Sequence, residues 1–244
     1  MRSLERLAMT KSLSKQKDNF FWQYDPSCFE QVSACIFDAE YWKAQNSIIG
    51  QESGRGTTWF IKHKEQELVL RHYLRGGMIR HFSHDRYIFK SLRSTRSIAE
   101  FSILNALLLK NLPVPRPAAA QVIKHGLLYR ADLLTHKIPE AHDLVQVLQK
   151  AQPKEFYHEL GQLIASFHHH GVFHADLNIQ NILQDAKGKF WLIDFDQAQL
   201  LPQKRNWQET NLKRLKRSFE KERQRFDIRW SEQDWNALMH GYTR

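Results

Sequence analysis

The stretch from Gly171 to Asp196 constrains the fold and chemistry of this chain more than any other part of the sequence. It reads G-V-F-H-A-D-L-N-I-Q-N-I-L-Q-D-A-K-G-K-F-W-L-I-D-F-D. Apolar residues at helical spacing predict a helix over residues 156–169, and Gly171 ends that helix. After a polar loop, a short strand begins at Asn181, D-A-K-G-K has the composition of a turn, and F-W-L-I-D predicts a second strand.

This predicted hairpin brings polar side chains together at its open end. The midpoint of Asn181 and Asp194 is 187.5, inside the turn, so antiparallel pairing sets these two side chains near each other. Asp176 lies just upstream. Such oxygen ligands suit a hard cation such as Mg²⁺ that holds phosphates. Phosphoryl transfer also requires a carboxylate that orients the attacking hydroxyl, so the pattern predicts a phosphoryl-transfer site.

The alternative interpretation is that Asp176 and Asp194 are ordinary turn and strand-end residues. H-x-D alone would be a trivial pattern. H-x-D-x-x-x-x-N followed thirteen residues later by D-F, with apolar runs between, is much harder to reach by chance. The sequence therefore favours the functional interpretation.

The rest of the chain divides into two parts of different character. Residues 22–92 contain short apolar and aromatic runs separated by glycines, which predict strands; residues 97–110 have helical spacing, and the chain is mainly helical from residue 156. We predict an α+β fold of two lobes, with a strand-rich N-lobe that contains one long helix and a mainly helical, shortened C-lobe. The predicted boundaries are a flexible basic segment at 1–20, the N-lobe at 21–137 and the C-lobe at 138–244.

Positive charge is concentrated in two regions of the sequence. The 244 residues carry a net charge of +10; residues 1–17 hold five basic and one acidic side chain (+4), and residues 204–229 hold ten and four (+6). Both regions predict attachment to an anionic partner, either a membrane or a nucleic acid. No nucleic-acid module is recognisable, so we expect no nucleic acid, and no obligate protein partner is evident.

The composition also indicates the cellular compartment. No apolar run approaches the ~20 residues that a membrane helix needs, and the N-terminus has no continuous apolar segment typical of a secretory signal. Two cysteines, Cys28 and Cys35, fit a reducing cytosol. We therefore expect a soluble cytoplasmic protein.

The motifs H-A-D-L-N-I-Q-N-I-L and L-I-D-F-D resemble the catalytic and metal-binding loops of the protein-kinase-like superfamily. The resemblance implies a two-lobed protein-kinase-like fold, with Asp176 as catalytic base or hydroxyl-orienting residue and His174 bracing the loop. It also implies Asn181 and Asp194 as Mg²⁺ ligands. Asp196 stands at the third position of the D-F-G element, and no A-P-E sequence follows. These departures indicate a small-molecule or sugar kinase rather than an activation-loop protein kinase.

The same resemblance requires nucleotide-binding residues upstream. Gly54 and Gly56 are candidates for a phosphate-covering turn, although a plain hairpin turn explains them as well. Arg71 in L-V-L-R-H-Y occupies the place of the usual phosphate-binding lysine, and Glu100 on the predicted helix is its expected partner. Two alternatives stay open: Arg71 faces solvent at a strand edge, or Ser97-x-x-Glu100 is a capping box.

The segments R-H-Y-L-R-G-G-M-I-R-H-F-S-H-D-R and N-L-P-V-P-R-P, with the short second lobe, resemble the lipopolysaccharide kinase family over about residues 50–219. The resemblance implies ATP-dependent phosphorylation of 3-deoxy-D-manno-octulosonic acid (Kdo), at its 4-hydroxyl, on a Kdo-lipid A precursor. It also implies peripheral attachment to the anionic cytoplasmic surface of the inner membrane. The alternatives are a kinase for heptose or another small molecule, and a catalytically silent kinase-like binding module.

The second basic region has an amphipathic pattern. Leu212, Leu215, Phe219 and Phe226 form one apolar stripe at helical spacing, and most lysines and arginines lie elsewhere. This pattern is typical of a helix that lies in a membrane interface. It is equally typical of a helix packed on the protein core with a solvated basic back, and both interpretations stay open.

Overall fold

The computed structural model describes residues 12–53, 56–75, 85–202 and 205–243. They have the mixed α+β composition that the sequence predicts. The chain divides into two compact units, Met1–Leu109 with Arg116–Lys137, and Lys110–Pro115 with Ile138–Arg244. The assignment of such units as the lobes of a kinase stays a prediction.

The first unit is built on one antiparallel sheet. Its strands are β1 (Leu13–Lys17), β2 (Phe20–Tyr24), β3 (Ile48–Ser53), β4 (Thr57–His63), β5 (Gln66–His72), β6 (Tyr87–Ile88), β7 (Pro117–His125) and β8 (Leu128–His136). Its helices are α1 (Ala39–Ala44) and α2 (Arg96–Leu109), with 3-10 turns at Ala34–Phe37 and Leu92–Ser94. The strand order is β1-β2-β7-β8-β5-β4-β3, and β6 pairs with β8.

The alternation of side chains along the strands gives this sheet two buried faces. Leu70 and Leu134 belong to a core with the 3-10 turn at Ala34–Phe37 and helix α1. Leu133 belongs to the opposite core, together with Ile98 and Phe101 of α2. Arg71 is the strand partner of Leu133, so it projects from the same side of the sheet as α2.

The prediction that residues 1–20 form a flexible segment is wrong for its second half. Residues 13–17 form strand β1, which pairs with β2 through partners from Leu13↔Tyr24 to Lys17↔Phe20. The sequence L-S-K-Q-K lacks an apolar alternation because both faces of this edge strand are exposed. Lysines are typical of edge strands, where they oppose further pairing. Residues 1–11 lie outside the described part of the chain.

The second unit is mainly helical. Its helices are α3 (Leu144–Val147), α4 (Lys154–His169), α5 (Arg205–Phe226) and α6 (Glu232–Thr243). Its strands are β9 (His142–Asp143), β10 (Val172–Phe173), β11 (Ile182–Gln184), β12 (Phe190–Leu192) and β13 (Gln199–Leu200), with a 3-10 turn at Ile179–Asn181. Gly171 follows α4 at φ +75°, and a Cβ there would lie 2.4 Å from the Leu201 carbonyl oxygen. This confirms the predicted end of the helix.

Helix α5 packs its apolar stripe into the protein. Leu212, Leu215 and Phe219 are buried, whereas Phe226 is 42% exposed. Phe219 stacks on Trp230 with ring centroids 5.3 Å apart. The structure thus realises the core-packed alternative, because three of the four apolar residues are already covered by protein. Within the described residues, no helix combines the length and apolar character needed to cross a bilayer.

Candidate active site

His174 is a buried residue at the start of the H-A-D loop (residues 174–181). The backbone N–H of Asp176 donates to its Nδ1 at 3.2 Å, so the ring proton lies on Nε2, which donates to the Ile193 carbonyl at 3.0 Å. Burial lowers the pKa of His174 below its ordinary value, outweighing the opposing effect of the Ile193 carbonyl, and the ring is neutral. The imidazole thereby ties the H-A-D loop to the residue that precedes Asp194.

Two asparagines shape the chain after Asp176. Asn178 caps the short 3-10 turn, because its Oδ1 accepts from the backbone N–H groups of Gln180 at 2.9 Å and Asn181 at 3.1 Å. The Asn181 side-chain amide donates through Nδ2 to the Asp176 carbonyl at 2.9 Å. With Nδ2 fixed in this way, Oδ1 is the Asn181 atom that can serve as a ligand.

The hairpin brings the Asn181 and Asp194 backbones together at its open end. Strands β11 and β12 pair Ile182 with Leu192, and the Ile193 N–H donates to the Asn181 carbonyl at 3.0 Å. Asp194 therefore lies one residue beyond the direct partner of Asn181. Its φ is +62°, in the left-handed region. Non-glycine residues in that region are uncommon and cluster at functional sites.

This donor set fits a hard cation. Asn181 offers an amide oxygen and Asp194 a carboxylate at adjoining backbone positions. Mg²⁺ is usually bound through one or two protein ligands, together with water and substrate phosphates. A closed protein cage is absent from the described part of the chain, where no three His, Cys, Asp or Glu side chains converge as metal ligands.

One side of helix α5 lies along the H-A-D loop; we call Asn211, Arg214 and Ser218 its loop-facing side. Asn211 is completely buried and makes two hydrogen bonds to the backbone of His174. It accepts from the His174 N–H at 3.1 Å and donates to the His174 carbonyl at 2.9 Å. Ser218 Oγ accepts from the Ile179 N–H at 3.2 Å. Between them, Nη1 of Arg214 lies 3.3 Å from Oδ1 of Asp176.

Sequence reasoning missed the loop-facing side of α5. A detectable signal was present, because the polar residues 211, 214 and 218 recur at three- and four-residue steps directly beside the apolar stripe. Their partners are 37 to 39 residues away in the sequence. The pattern alone indicates a helix with a polar edge, and only the packing of α5 reveals what that edge contacts.

In the first unit, Arg71 and Glu100 form a partly buried ion pair. Nη2 of Arg71 lies 2.6 Å from both Glu100 carboxylate oxygens, and the Tyr73 hydroxyl donates to Oε2 at 2.5 Å. Glu100 is 3% exposed and the Arg71 side chain 27%. The solvent-facing alternative for Arg71 is therefore wrong.

The capping-box alternative is also wrong. Helix α2 begins at Arg96, one residue before Ser97, so Ser97 is inside the helix rather than at its cap. Its hydroxyl donates to the Gln121 carbonyl at 2.7 Å. The Glu100 carboxylate accepts from Arg71 and Tyr73. The helix thus uses Glu100 to bind the neighbouring strand rather than its own first turn.

The predicted glycine turn joins β3 to β4. Ser53 of β3 pairs with Thr57 of β4, and Gly56 immediately precedes β4. Gly54 lies outside the described residues. At Gly56 an added Cβ would lie 2.4 Å from Cδ1 of Leu74, the end of a flexible side chain that can move aside, so packing does not require glycine there. A role of either residue in phosphate binding stays a prediction.

Comparison with known proteins gives consistent matches over most of the chain. The profile of the lipopolysaccharide kinase (Kdo/WaaP) family matches residues 39–242. The chain is 44% identical over 225 residues to a Vibrio parahaemolyticus protein named 3-deoxy-D-manno-octulosonic acid kinase, covering 92% of this chain and 94% of that protein. Proteins of the same name from Vibrio vulnificus and Haemophilus influenzae are 46% and 44% identical, covering 90% and 93% of this chain and 93% and 98% of their own lengths.

Proposed function

The chain belongs to the lipopolysaccharide kinase (Kdo/WaaP) family, and from this membership we infer that it is a phosphotransferase that phosphorylates Kdo in lipopolysaccharide core biosynthesis. The observation that carries this function is the agreement in name among relatives aligned over nine tenths of the chain. We extend the proposal to ATP as donor, to the 4-hydroxyl of Kdo on a lipid A precursor as acceptor, and to a protein-kinase-like fold for the two units.

We assign the central chemical role to Asp176. Its carboxylate is half exposed, so an acceptor hydroxyl can hydrogen-bond to it. The hydroxyl oxygen forms a bond to the γ-phosphorus as the bond between that phosphorus and the bridging oxygen of ADP breaks. The hydroxyl proton passes to Asp176 and ADP leaves. The bonds made by His174, Asn181 and Asn211 support this role, because they fix the backbone on both sides of Asp176.

The remaining site residues are proposed to bind the nucleotide. Asn181 and Asp194 would hold Mg²⁺, which supplies positive charge to the phosphates when bound. Arg71 would bind ATP phosphates, held in place by the buried Glu100 carboxylate, and the 54–56 turn would cover them. Arginine differs from lysine in offering a planar fork of donors, so this substitution is compatible with phosphate binding.

We propose a peripheral location at the anionic cytoplasmic face of the inner membrane. The charge of residues 204–229 supports it, because many basic residues of α5 are exposed while three of the four apolar residues of its stripe are buried. Contact through this helix would then rest on charge rather than on insertion of apolar side chains.

The first experiment is mass spectrometry of a Kdo-lipid A precursor after incubation with the protein and Mg-ATP. We expect one added phosphate with the unmodified protein. Asp176→Asn should reduce transfer by about 10²- to 10⁴-fold, the usual effect of losing a general base, with ATP binding by equilibrium dialysis retained. Asp227→Asn is the matched control, because Asp227 is exposed and its backbone has the positive φ that asparagine tolerates.

Each alternative has its own outcome in this experiment. Transfer by Asp176→Asn at the unmodified rate would show that the role assigned to Asp176 is wrong. Phosphorylation of a heptose-bearing acceptor in place of Kdo would move the substrate to heptose. ATP binding without transfer to either acceptor would favour the silent binding module.

A further inference from the structure

Arg214 forms an ion pair with Asp176, and the proposed reaction leaves this arginine without a role. Nη1 of Arg214 and Oδ1 of Asp176 are 3.3 Å apart, and both side chains are 51% exposed. An ion pair this exposed contributes little to stability, because water solvates both charges almost as well. Stabilisation of the fold is therefore a poor explanation for this contact. The guanidinium can exchange Asp176 for another partner at a small cost in free energy.

The backbone that carries Arg214 is nevertheless rigidly placed. Three residues before it, buried Asn211 makes two hydrogen bonds to the His174 peptide, and four residues after it, Ser218 bonds the Ile179 N–H. Leu215, its neighbour in the sequence, is completely buried. An exposed charged group on a firmly held backbone, directly beside the proposed catalytic carboxylate, has the properties of a substrate-binding group.

The contact with Arg214 occupies an oxygen of the proposed catalytic carboxylate. The guanidinium donates to Oδ1 of Asp176, so this oxygen becomes available to an acceptor hydroxyl only when Arg214 moves to another partner. The acceptor named in the relatives is an acid, so it brings a carboxylate of its own. Guanidinium and carboxylate match each other through two parallel hydrogen bonds.

We propose that Arg214 leaves Asp176 to bind the carboxylate of the acidic sugar acceptor, which makes it a specificity residue of this site. The exchange releases Asp176 for the acceptor hydroxyl at the moment when the correct substrate is present. A neutral sugar offers the guanidinium no carboxylate to bind. The inference rests on the proposed function, since it concerns the acceptor of that same reaction.

The test pairs a change in the protein with a change in the substrate. Arg214→Gln and unmodified protein are each assayed with the Kdo-lipid A precursor and with the same precursor whose Kdo carboxylate has been converted to a neutral amide. With the acid, we expect Arg214→Gln to raise the acceptor KM by about 10- to 100-fold, the usual value of a hydrogen-bonded ion pair. With the amide, the two proteins should differ little, and the KM for ATP should stay unchanged throughout.

Two further variants sharpen the result. Arg214→Lys keeps the charge but loses the fork, so it should recover only part of the acid preference. Lys213→Gln is the matched control, because Lys213 is an exposed cation on the same helix and should retain the full preference for the acid.

The outcomes separate this inference from the function on which it rests. Equal losses with acid and amide, or a rise in the ATP KM instead, would overturn the inference while leaving Kdo phosphorylation intact. The lipid phosphates are present in both substrates, so a contact with them would also appear as equal losses. An unmodified protein that transfers phosphate to neither substrate would overturn the proposed function and this inference with it.

Discussion

Glu100 is a buried charge whose partners differ in their access to water. It is 3% exposed and accepts from Arg71 and from the buried Tyr73, whereas Arg71 retains contact with solvent. A buried carboxylate that loses its cation bears most of its desolvation cost uncompensated. An arginine that loses its carboxylate can turn toward water. The two halves of the pair are thus unequal, and this asymmetry can be measured.

We predict that Arg71→Met lowers the free energy of unfolding by about 3 kcal/mol, the usual cost of leaving a buried charge without its partner. Glu100→Gln should cost about 1 kcal/mol, because glutamine still offers an oxygen to Tyr73 and the unpaired Arg71 guanidinium can turn toward water. Urea unfolding of both variants measures the difference. The exposed pair Lys137–Glu67 supplies the control, and Lys137→Gln should change stability by less than about 1 kcal/mol. A larger cost for Glu100→Gln than for Arg71→Met would contradict the argument.

The placement of Asp176, Asn181 and Asp194 could be predicted because these residues lie close together in the sequence. Asp176, Asn181 and Asp194 lie within one loop and one hairpin, where spacing along the chain determines proximity in space. Arg71 and Glu100 are 29 residues apart, and only the resemblance to a family linked them. Arg214 had no such link, so its position beside Asp176 emerged only from the structure.

At the scale of elements, helices α4 and α6 cross with their backbones in contact. An added Cβ on Gly161 would lie 2.0 Å from the Leu238 carbonyl oxygen, and one on Gly241 would lie 2.0 Å from the His158 carbonyl oxygen. Glycine normally weakens a helix interior. Here each glycine makes room for the backbone of the other helix, so close packing outweighs poor helix propensity.

We predict that Gly161→Ala destabilises the protein by at least about 2 kcal/mol, as overpacking against backbone atoms does, although alanine is the better helix former by about 1 kcal/mol. Gly241→Ala should act in the same direction. Gln162→Ala, at the exposed neighbouring position of α4, is the control and should be nearly neutral. Thermal unfolding distinguishes these cases. A stabilised Gly161→Ala would mean that the helices do not approach at this point.

The same crossing explains why α6 could not be predicted. Only Leu238 and Gly241 of this helix are buried, so it has no continuous apolar stripe for periodicity to detect. Helix α4 carries six large buried side chains spaced along one face, and its pattern predicted it within two residues at its start. A periodic pattern of apolar residues reveals helices that pack through large side chains. It misses helices that pack closely through glycine, which has no side chain to form such a pattern.

For the whole molecule, histidines with shifted pKa values make stability depend on pH. Burial lowers the pKa of His168 in the second unit to about 4, and it lowers the pKa of His136 in the first unit to about 4 as well. His72 differs: burial opposes its charge, but hydrogen bonds and charges from Asp132 and Asp85 raise its pKa above the ordinary value. As the pH falls, His136 and His168 therefore take up protons more readily in the unfolded chain than in the folded protein. His72 takes up its proton more readily in the folded protein, so it affects stability in the opposite sense.

We predict that His168 removes about 2 kcal/mol of stability between pH 7.5 and pH 5. The unfolded residue takes up a proton near its ordinary pKa of 6.5, but the folded residue does so only near 4, so its contribution is complete above pH 6.5 and declines as the pH falls. His168→Gln keeps a polar group beside the Tyr242 hydroxyl and should flatten this slope. His169→Gln, at the exposed neighbouring position, should not. Equal slopes for both variants in urea unfolding would contradict the assignment to His168.

The crossing of α4 and α6 also has a consequence in time. Sixty-two residues, 170–231, separate the end of α4 from the start of α6. At a synthesis rate of about 5–20 residues per second, a ribosome needs roughly three to twelve seconds to make them. During that interval α4 has been synthesised, but its surface around Gly161 has no partner helix. The nascent second unit therefore passes through a stage in which this face of α4 is exposed and accessible to chaperones. The face is covered only after α6 has been synthesised.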